Sequence, residues 1–335
     1  MTMARKLLVD ESVTPWYHCI SRCVRRAFLC GDGCEHRKRW IEERLKTLAQ
    51  VMAVDCAGFA IMDNHLHLLL RLDSQAAKAW DAAEVARRWA VLFPPKKEKG
   101  QGQEAVGAWI EQKSQEAAWV EKARGRLASL SWFMKCLKEP IARMANREDG
   151  CTGAFWEGRF QSVAVLDEES LLATCAYIDL NPLAAGMAKT PDESEHTSLA
   201  ARLRAGDREE NDQEEKGEVA MTDGNWLLPV EDCREQGGCC GLLSGFTMTH
   251  YLRLVDWTSR LVRDGKSRVD AEVASIFERL GFDADRWQAT MRSLFGEKKL
   301  VGCFLGRPES LAKAAGHLDR RWVKQRGTRA ALAGG

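Results

Sequence analysis

Two apolar runs separated by two turn residues constrain this chain most. Val54–Met62 is the first run, Asp63–Asn64 the break, and Leu66–Leu70 the core of the second. Asp and Asn favour tight turns, so the pattern predicts two antiparallel strands joined by a hairpin. The second strand opens with His65-Leu66-His67. On a strand, residues i and i+2 share a face, so His65 and His67 project side by side while Leu66 points to the opposite face. Two imidazoles so placed can share one divalent metal. They can equally be two hydrogen-bonded, inert histidines at a strand end, and the stretch alone leaves both readings open.

The flanking pattern predicts one α+β unit around this hairpin. Trp16–Arg22 is aromatic and β-branched enough for a strand. Helical periodicity runs over Glu35–Met52, Ala76–Phe93, Glu104–Arg124 and Leu130–Asn146, then Phe155–Leu166 reads as another strand. Glu168–Leu180 reads as a helix with Asp167 at its N-cap and acidic residues at its positive end. The segment from about Pro94 to Ala128 reads as an insertion carrying a breaker-rich loop. Residues 191–246 read as a polar linker or loop, with acidic residues at Glu209, Glu210, Asp212, Glu214 and Glu215. From 247 to 335 the pattern is helical again, over Thr247–Val262, Ser267–Leu280, Asp283–Leu294 and Glu309–Val323. The order implies an antiparallel sheet with helices on one face, followed by a helical C-terminal extension.

Composition narrows the class without naming a partner. The formal net charge of +1 over 335 residues gives no global sign of a polyanion ligand. No apolar run is long enough to span a bilayer and Met1–Asp10 lacks a signal-peptide core, so the cytoplasm is expected and no membrane partner. The 12 cysteines then read as reduced thiols. Cys19, Cys23, Cys30 and Cys34 are spaced more widely than the usual zinc-binding pair.

A candidate nucleophile lies on the predicted helix 168–180. Tyr177 stands in Ala-Tyr-Ile-Asp-Leu-Asn-Pro, and Asn181 follows four residues later, on the same face if the helix persists. Pro182 works against that persistence. An amide oxygen is a hard ligand suited to Mg²⁺ or Mn²⁺. A tyrosine beside such a metal can attack phosphorus and form a covalent intermediate. Read by spacing alone, Tyr177 is a half-buried helix residue and Asn181 a helix cap.

Four segments in order resemble the HUH-type single-tyrosine transposases, most closely the REP-associated tyrosine transposases. They are Tyr17–Arg22, Met62–Leu69, Phe155–Phe160 and Tyr177–Pro182, spread over about residues 14–190. In the second, Asp63 stands where the family usually has proline. After Asn181–Pro182 the family's Val-Arg-Ala-Gly is replaced by Leu183-Ala184-Ala185-Gly186, so the arginine that the resemblance implies as a phosphate contact is missing, while the residues it implies for the chemistry are present.

The resemblance implies a ferredoxin-like HUH endonuclease fold. It implies His65, His67 and Asn181 as metal ligands, Mg²⁺ or Mn²⁺ as cofactor, and Tyr177 as nucleophile. It further implies single-stranded or hairpin DNA as substrate, and action as a monomer or homodimer. Arg22, Arg25, Arg26 and Arg159 are then candidates for phosphate contacts. Trp16 and Trp156 are candidates for base stacking or for core packing. Competing expectations are a DNA-binding regulator without cleavage and an unrelated His-x-His metal hydrolase. Arg307, Arg320, Arg321, Lys324 and Arg326 form a basic C-terminal end that reads as a DNA contact or a solvated tail.

Overall fold

The computed structural model describes residues 9–95, 103–212, 226–264, 269–296 and 302–323. Its elements in chain order begin with β1 (Trp16–Arg22), α1 (His36–Val51), β2 (Val54–Ile61), β3 (His65–Leu72), α2 (Ser74–Ala79) and α3 (Ala82–Leu92). Then come α4 (Gln103–Ser114), α5 (Ala117–Leu127), α6 (Leu130–Glu148), β4 (Gln161–Val165), α7 (Glu168–Asp179), α8 (Asn181–Ala184) and α9 (Ser198–Asp212). The last third carries β5 (Glu231–Asp232), β6 (Leu243–Ser244), α10 (Met248–Asp264), α11 (Ala271–Leu280), α12 (Ala284–Phe295), β7 (Phe304–Leu305) and α13 (Pro308–His317).

The fold is α+β. A five-stranded sheet runs in the order β2-β3-β1-β4-β7. β1, β2, β3 and β4 pair antiparallel, and β7 adds to β4 in parallel. The hairpin forms where its pattern places it, with His67 opposite Ala60 on β2 and Ile20 on β1.

Helices cover both faces of the sheet, not one. Leu66, Leu68 and Leu70 of β3, with Tyr17 and Cys19 of β1, pack in one core with α1, α5 and α6. Leu69 of β3 and Val163 and Val165 of β4 pack in a second core with α7 and α10 to α12. The cause is visible in β3, which carries leucine on both sides and therefore needs two covers. The C-terminal helices supply the second, through Trp257, Phe277 and Trp287 among others.

Several element boundaries differ from the sequence pattern for local reasons. The run 155–166 is extended strand only over Gln161–Val165, because Gly158 at φ 151° breaks it in a conformation side chains avoid. The run 76–93 divides where Asp81 caps a new helix, its carboxylate accepting from the Glu84 amide at 2.6 Å. The charged run 104–124 divides at Gln115–Glu116. Within 191–246, Ser198–Asp212 is helical, while Glu214 and Glu215 lie outside the described residues. The last helix ends at His317 rather than Val323. Among the described residues no helix is long and apolar enough to cross a membrane.

Candidate active site

The hairpin turn is clamped before it presents its histidines. The Cys23 amide donates to the Asn64 carbonyl and the Cys30 amide to the Asp63 carbonyl, both at 2.8 Å. Lys38 of α1, nearly buried, pairs with the Asp63 carboxylate at 2.7 Å. Asp63, where the resemblance expects proline, thus fixes the turn by a charge instead of a ring. The loop that supplies these contacts holds Arg25 and Arg26 at φ 55° and 56°, a left-handed backbone that non-glycine residues seldom adopt. It leaves both guanidinium side chains exposed at the mouth of the hairpin.

His65 and His67 share the face of β3 that looks toward α7, with ring centroids 4.9 Å apart. The Asn64 amide nitrogen donates to the Arg26 carbonyl at 3.2 Å, which sets its amide oxygen toward His65 Nδ1 at 2.6 Å. That oxygen can only accept, so His65 carries its proton on Nδ1 and its lone pair on Nε2. Burial lowers the His65 pKa to about 4, and the Arg22 and Arg26 charges push the same way. A neutral imidazole with a fixed tautomer is the form that ligates metal.

Tyr177 comes to this face from α7. Its ring lies 5.4 Å from that of His67, edge-on, and 5.8 Å from that of His18. α7 starts where the sequence places it, with the Asp167 carboxylate accepting from the Ser170 amide. It is buried on nearly every side, so the tyrosine is 7% exposed. Asn181 does not continue α7; it opens the short α8 after Leu180. Its amide nitrogen nevertheless reaches back to the Tyr177 carbonyl at 2.9 Å, an i+4 contact that ties the two residues together.

Two neighbours of Tyr177 escape the sequence pattern. His18 is wholly buried, and its Nε2 lies 2.9 Å from His67 Nδ1. Its spacing to other histidines signals nothing, but strand pairing does. Ile20 faces His67 across the ladder, and His18, two residues earlier, shares that face. Phe295, at the end of α12, packs on the tyrosine from the other direction at 4.9 Å between centroids.

The donors suit a hard or borderline divalent ion: two imidazoles on one face, that of His65 neutral, with an amide side chain four residues beyond the tyrosine. Among the described residues no three His, Cys, Asp or Glu side chains are grouped to hold a metal. Cys19, Cys23, Cys30 and Cys34 form no such group, and the free thiols of Cys23 and Cys30 hydrogen-bond to each other.

The other sequence candidates are spread around this face. Arg22 pairs across the ladder with His65, and Arg159 is exposed beyond Gly158. Trp156 packs in the first core and donates to the Lys138 carbonyl at 2.9 Å, while Trp16 packs half-buried against the second. Of the basic C-terminal end, the Arg307 amide donates to Asp167 at 2.6 Å; Lys324 and Arg326 lie outside the described residues. A cleft of about 280 Å³ lined by His250, Arg253, Glu272 and Arg279 shares no residue with the histidine cluster.

The chain matches no family model and no curated protein sequence. Among solved structures it is similar to a REP-associated tyrosine transposase bound to a REP hairpin. The identity is 12%, with 62% of this chain and 88% of that chain covered, and the TM-score is 0.29. At that score the superposition is too loose to carry any residue's role across.

Proposed function

We propose that this chain nicks and rejoins single-stranded DNA, as a transposase does, through a tyrosine–DNA intermediate. The observation that supports it is the Tyr177 ring set against His67, on the sheet face that also carries His65. His65, His67 and the Asn181 amide oxygen are the residues that would hold Mg²⁺ or Mn²⁺. Such an ion polarises a phosphate and offsets the charge that develops on it.

The chain's own part follows from the positions of its side chains. A single strand, or the single-stranded flank of a hairpin, lies across the His65–Tyr177 face. Arg22, Arg25, Arg26 and Arg159 hold its phosphates. The Tyr177 oxygen gives up its proton to a water molecule and attacks phosphorus. A bond forms between that oxygen and phosphorus, and the bond from phosphorus to the 3′ oxygen breaks. The 3′ oxygen takes a proton from water and leaves as a hydroxyl, and the 5′ phosphate stays on Tyr177. Attack by that or another 3′-hydroxyl reverses the step, so joining needs no external energy source. Phenolate, a better leaving group than alkoxide, makes the reversal accessible.

The test is a labelled single strand incubated with the full chain and Mn²⁺, resolved on a denaturing gel. The wild-type chain should give a covalent adduct and Tyr177→Phe none, a loss beyond 10³-fold for a removed nucleophile, on the order seen for other catalytic nucleophiles. An adduct that persists in Tyr177→Phe excludes this tyrosine.

One observation favours a second reading, a DNA-binding regulator without cleavage. Phe295 covers Tyr177, and the residue is nearly buried. Hairpin binding by a wild-type chain that yields no adduct with any single strand would decide for that reading.

A further inference from the structure

Each imidazole of the pair has its Nδ1 engaged by a neighbour: His65 by Asn64 and His67 by His18. The first contact fixes a tautomer, as shown above. The second can do the same, although two imidazoles can share a proton in either sense. If His18 donates, His67 carries its proton on Nε2 and has no lone pair for a metal on that side. If His67 donates, His18 receives with Nε2, and His67 presents its lone pair on Nε2 as His65 does. Only the second arrangement lets both histidines of the strand ligate one ion.

We infer that His18 is a positioning residue, which accepts from His67 Nδ1 and so holds His67 in the metal-binding tautomer. The inference rests on His65 and His67 being the metal ligands. His18 is well placed for the task. It is fully buried on β1, so water does not compete for the contact; it stands opposite Leu69 in the ladder, and its ring meets that of Tyr177 edge-on. Partners of this kind orient ligands in metal sites generally, and their loss weakens metal binding about 10–100-fold. Here the partner comes from a neighbouring strand, so pairing of β1 with β3 aligns the ligand as well as building the sheet.

The experiment measures Mn²⁺ binding to the full chain without DNA, by the paramagnetic resonance signal of free Mn²⁺. Three variants are compared: His65→Ala, His18→Leu and His18→Gln. Glutamine places an amide oxygen near the position of His18 Nε2 and can accept the same bond; leucine cannot. Tight binding should vanish in His65→Ala, weaken about 10–100-fold in His18→Leu, and largely return in His18→Gln. A His18→Leu protein that folds and binds as tightly as wild type, while His65→Ala does not, overturns the role of His18 alone. Unchanged binding in His65→Ala removes the metal reading itself, and this inference with it. Should His18→Leu fail to fold, the wild-type chain still decides. Ring-nitrogen chemical shifts of metal-free protein at about pH 8, where imidazole is neutral, should place the His67 proton on Nδ1. A proton on Nε2 overturns the inference.

Discussion

Asp179 is the residue that most departs from its apparent role. In the sequence it lies between Tyr177 and Asn181, and nothing about the apolar helix around it explains an acid. In the structure it is fully buried and accepts from the Ser198 hydroxyl, the Leu199 amide at 2.9 Å and the Tyr251 hydroxyl. Burial pushes both the Asp179 carboxyl and the Tyr251 phenol upward. The carboxylate therefore starts α9 and anchors α10, while its own helix carries Tyr177. Tyr251→Phe keeps the ring and removes one donor from a buried acid. A bond to such a group contributes about 1.5–3 kcal/mol, so chemical denaturation should show a loss of that size with an unchanged dependence on denaturant. A loss below about 0.5 kcal/mol, the usual range for surface changes, would mean that the carboxyl is satisfied without the phenol. Asp179 is illegible in the sequence because its partners lie 19 to 72 residues away. That His65 and His67 share a face is legible, because residues i and i+2 of a strand do; that Tyr177 meets them is not, because spacing alone makes it a half-buried helix residue.

At the scale of elements, α12 lies along α7 and closes the face that bears the tyrosine. Arg286 donates to both oxygens of the buried Glu169 carboxylate at 2.7–3.0 Å, near the start of α7. Phe295 meets Tyr177 near its end. The two contacts are nine residues apart on α12 and eight apart on α7. At a rise of about 1.5 Å per residue those spans nearly match, so the helices run parallel with matched contacts at both ends. The periodicity of Asp283–Leu294 announces an amphipathic helix in the sequence, but not the helix that it covers. The linker-like composition before it likewise hides that α9 is docked through Asp179. Removing only the far contact should loosen the cover without unseating the helix. Phe295→Ala is therefore expected to raise the rate at which tetranitromethane nitrates Tyr177, several-fold over wild type. Tyr17 and Tyr251, both without exposed surface, serve as internal controls in the same digest. Equal nitration of Tyr177 in the two proteins would show that Phe295 does not govern access. Where single-strand adducts can be measured, the same variant should form them faster, since the strand must reach the hydroxyl that Phe295 adjoins.

The whole molecule is organised by a sheet that needs two covers. α1, α5 and α6 form one, and α7 forms the other only in company with α10, α11 and α12. The consequence is an energetic dependence of the motif-bearing part on everything after it. A chain cut after about residue 190 keeps every residue proposed for chemistry, yet loses the apolar side chains of α10 to α12 that share the second core with α7, among them Phe295 against Tyr177, and it leaves β4 without β7. Re-exposing one large apolar side chain costs about 1.5–3 kcal/mol. Four or five such side chains, about 6–15 kcal/mol together, match the stability of about 5–15 kcal/mol available to a typical domain. The 1–190 fragment is accordingly expected to lack a cooperative thermal transition and near-ultraviolet circular dichroism while binding a hydrophobic dye. Co-expression with the 191–335 fragment should restore both signals, because the missing surface is returned without a covalent link. A 1–190 fragment that melts cooperatively by itself would show that α7 can close the second face unaided, and that the C-terminal helices are an addition to a self-sufficient fold.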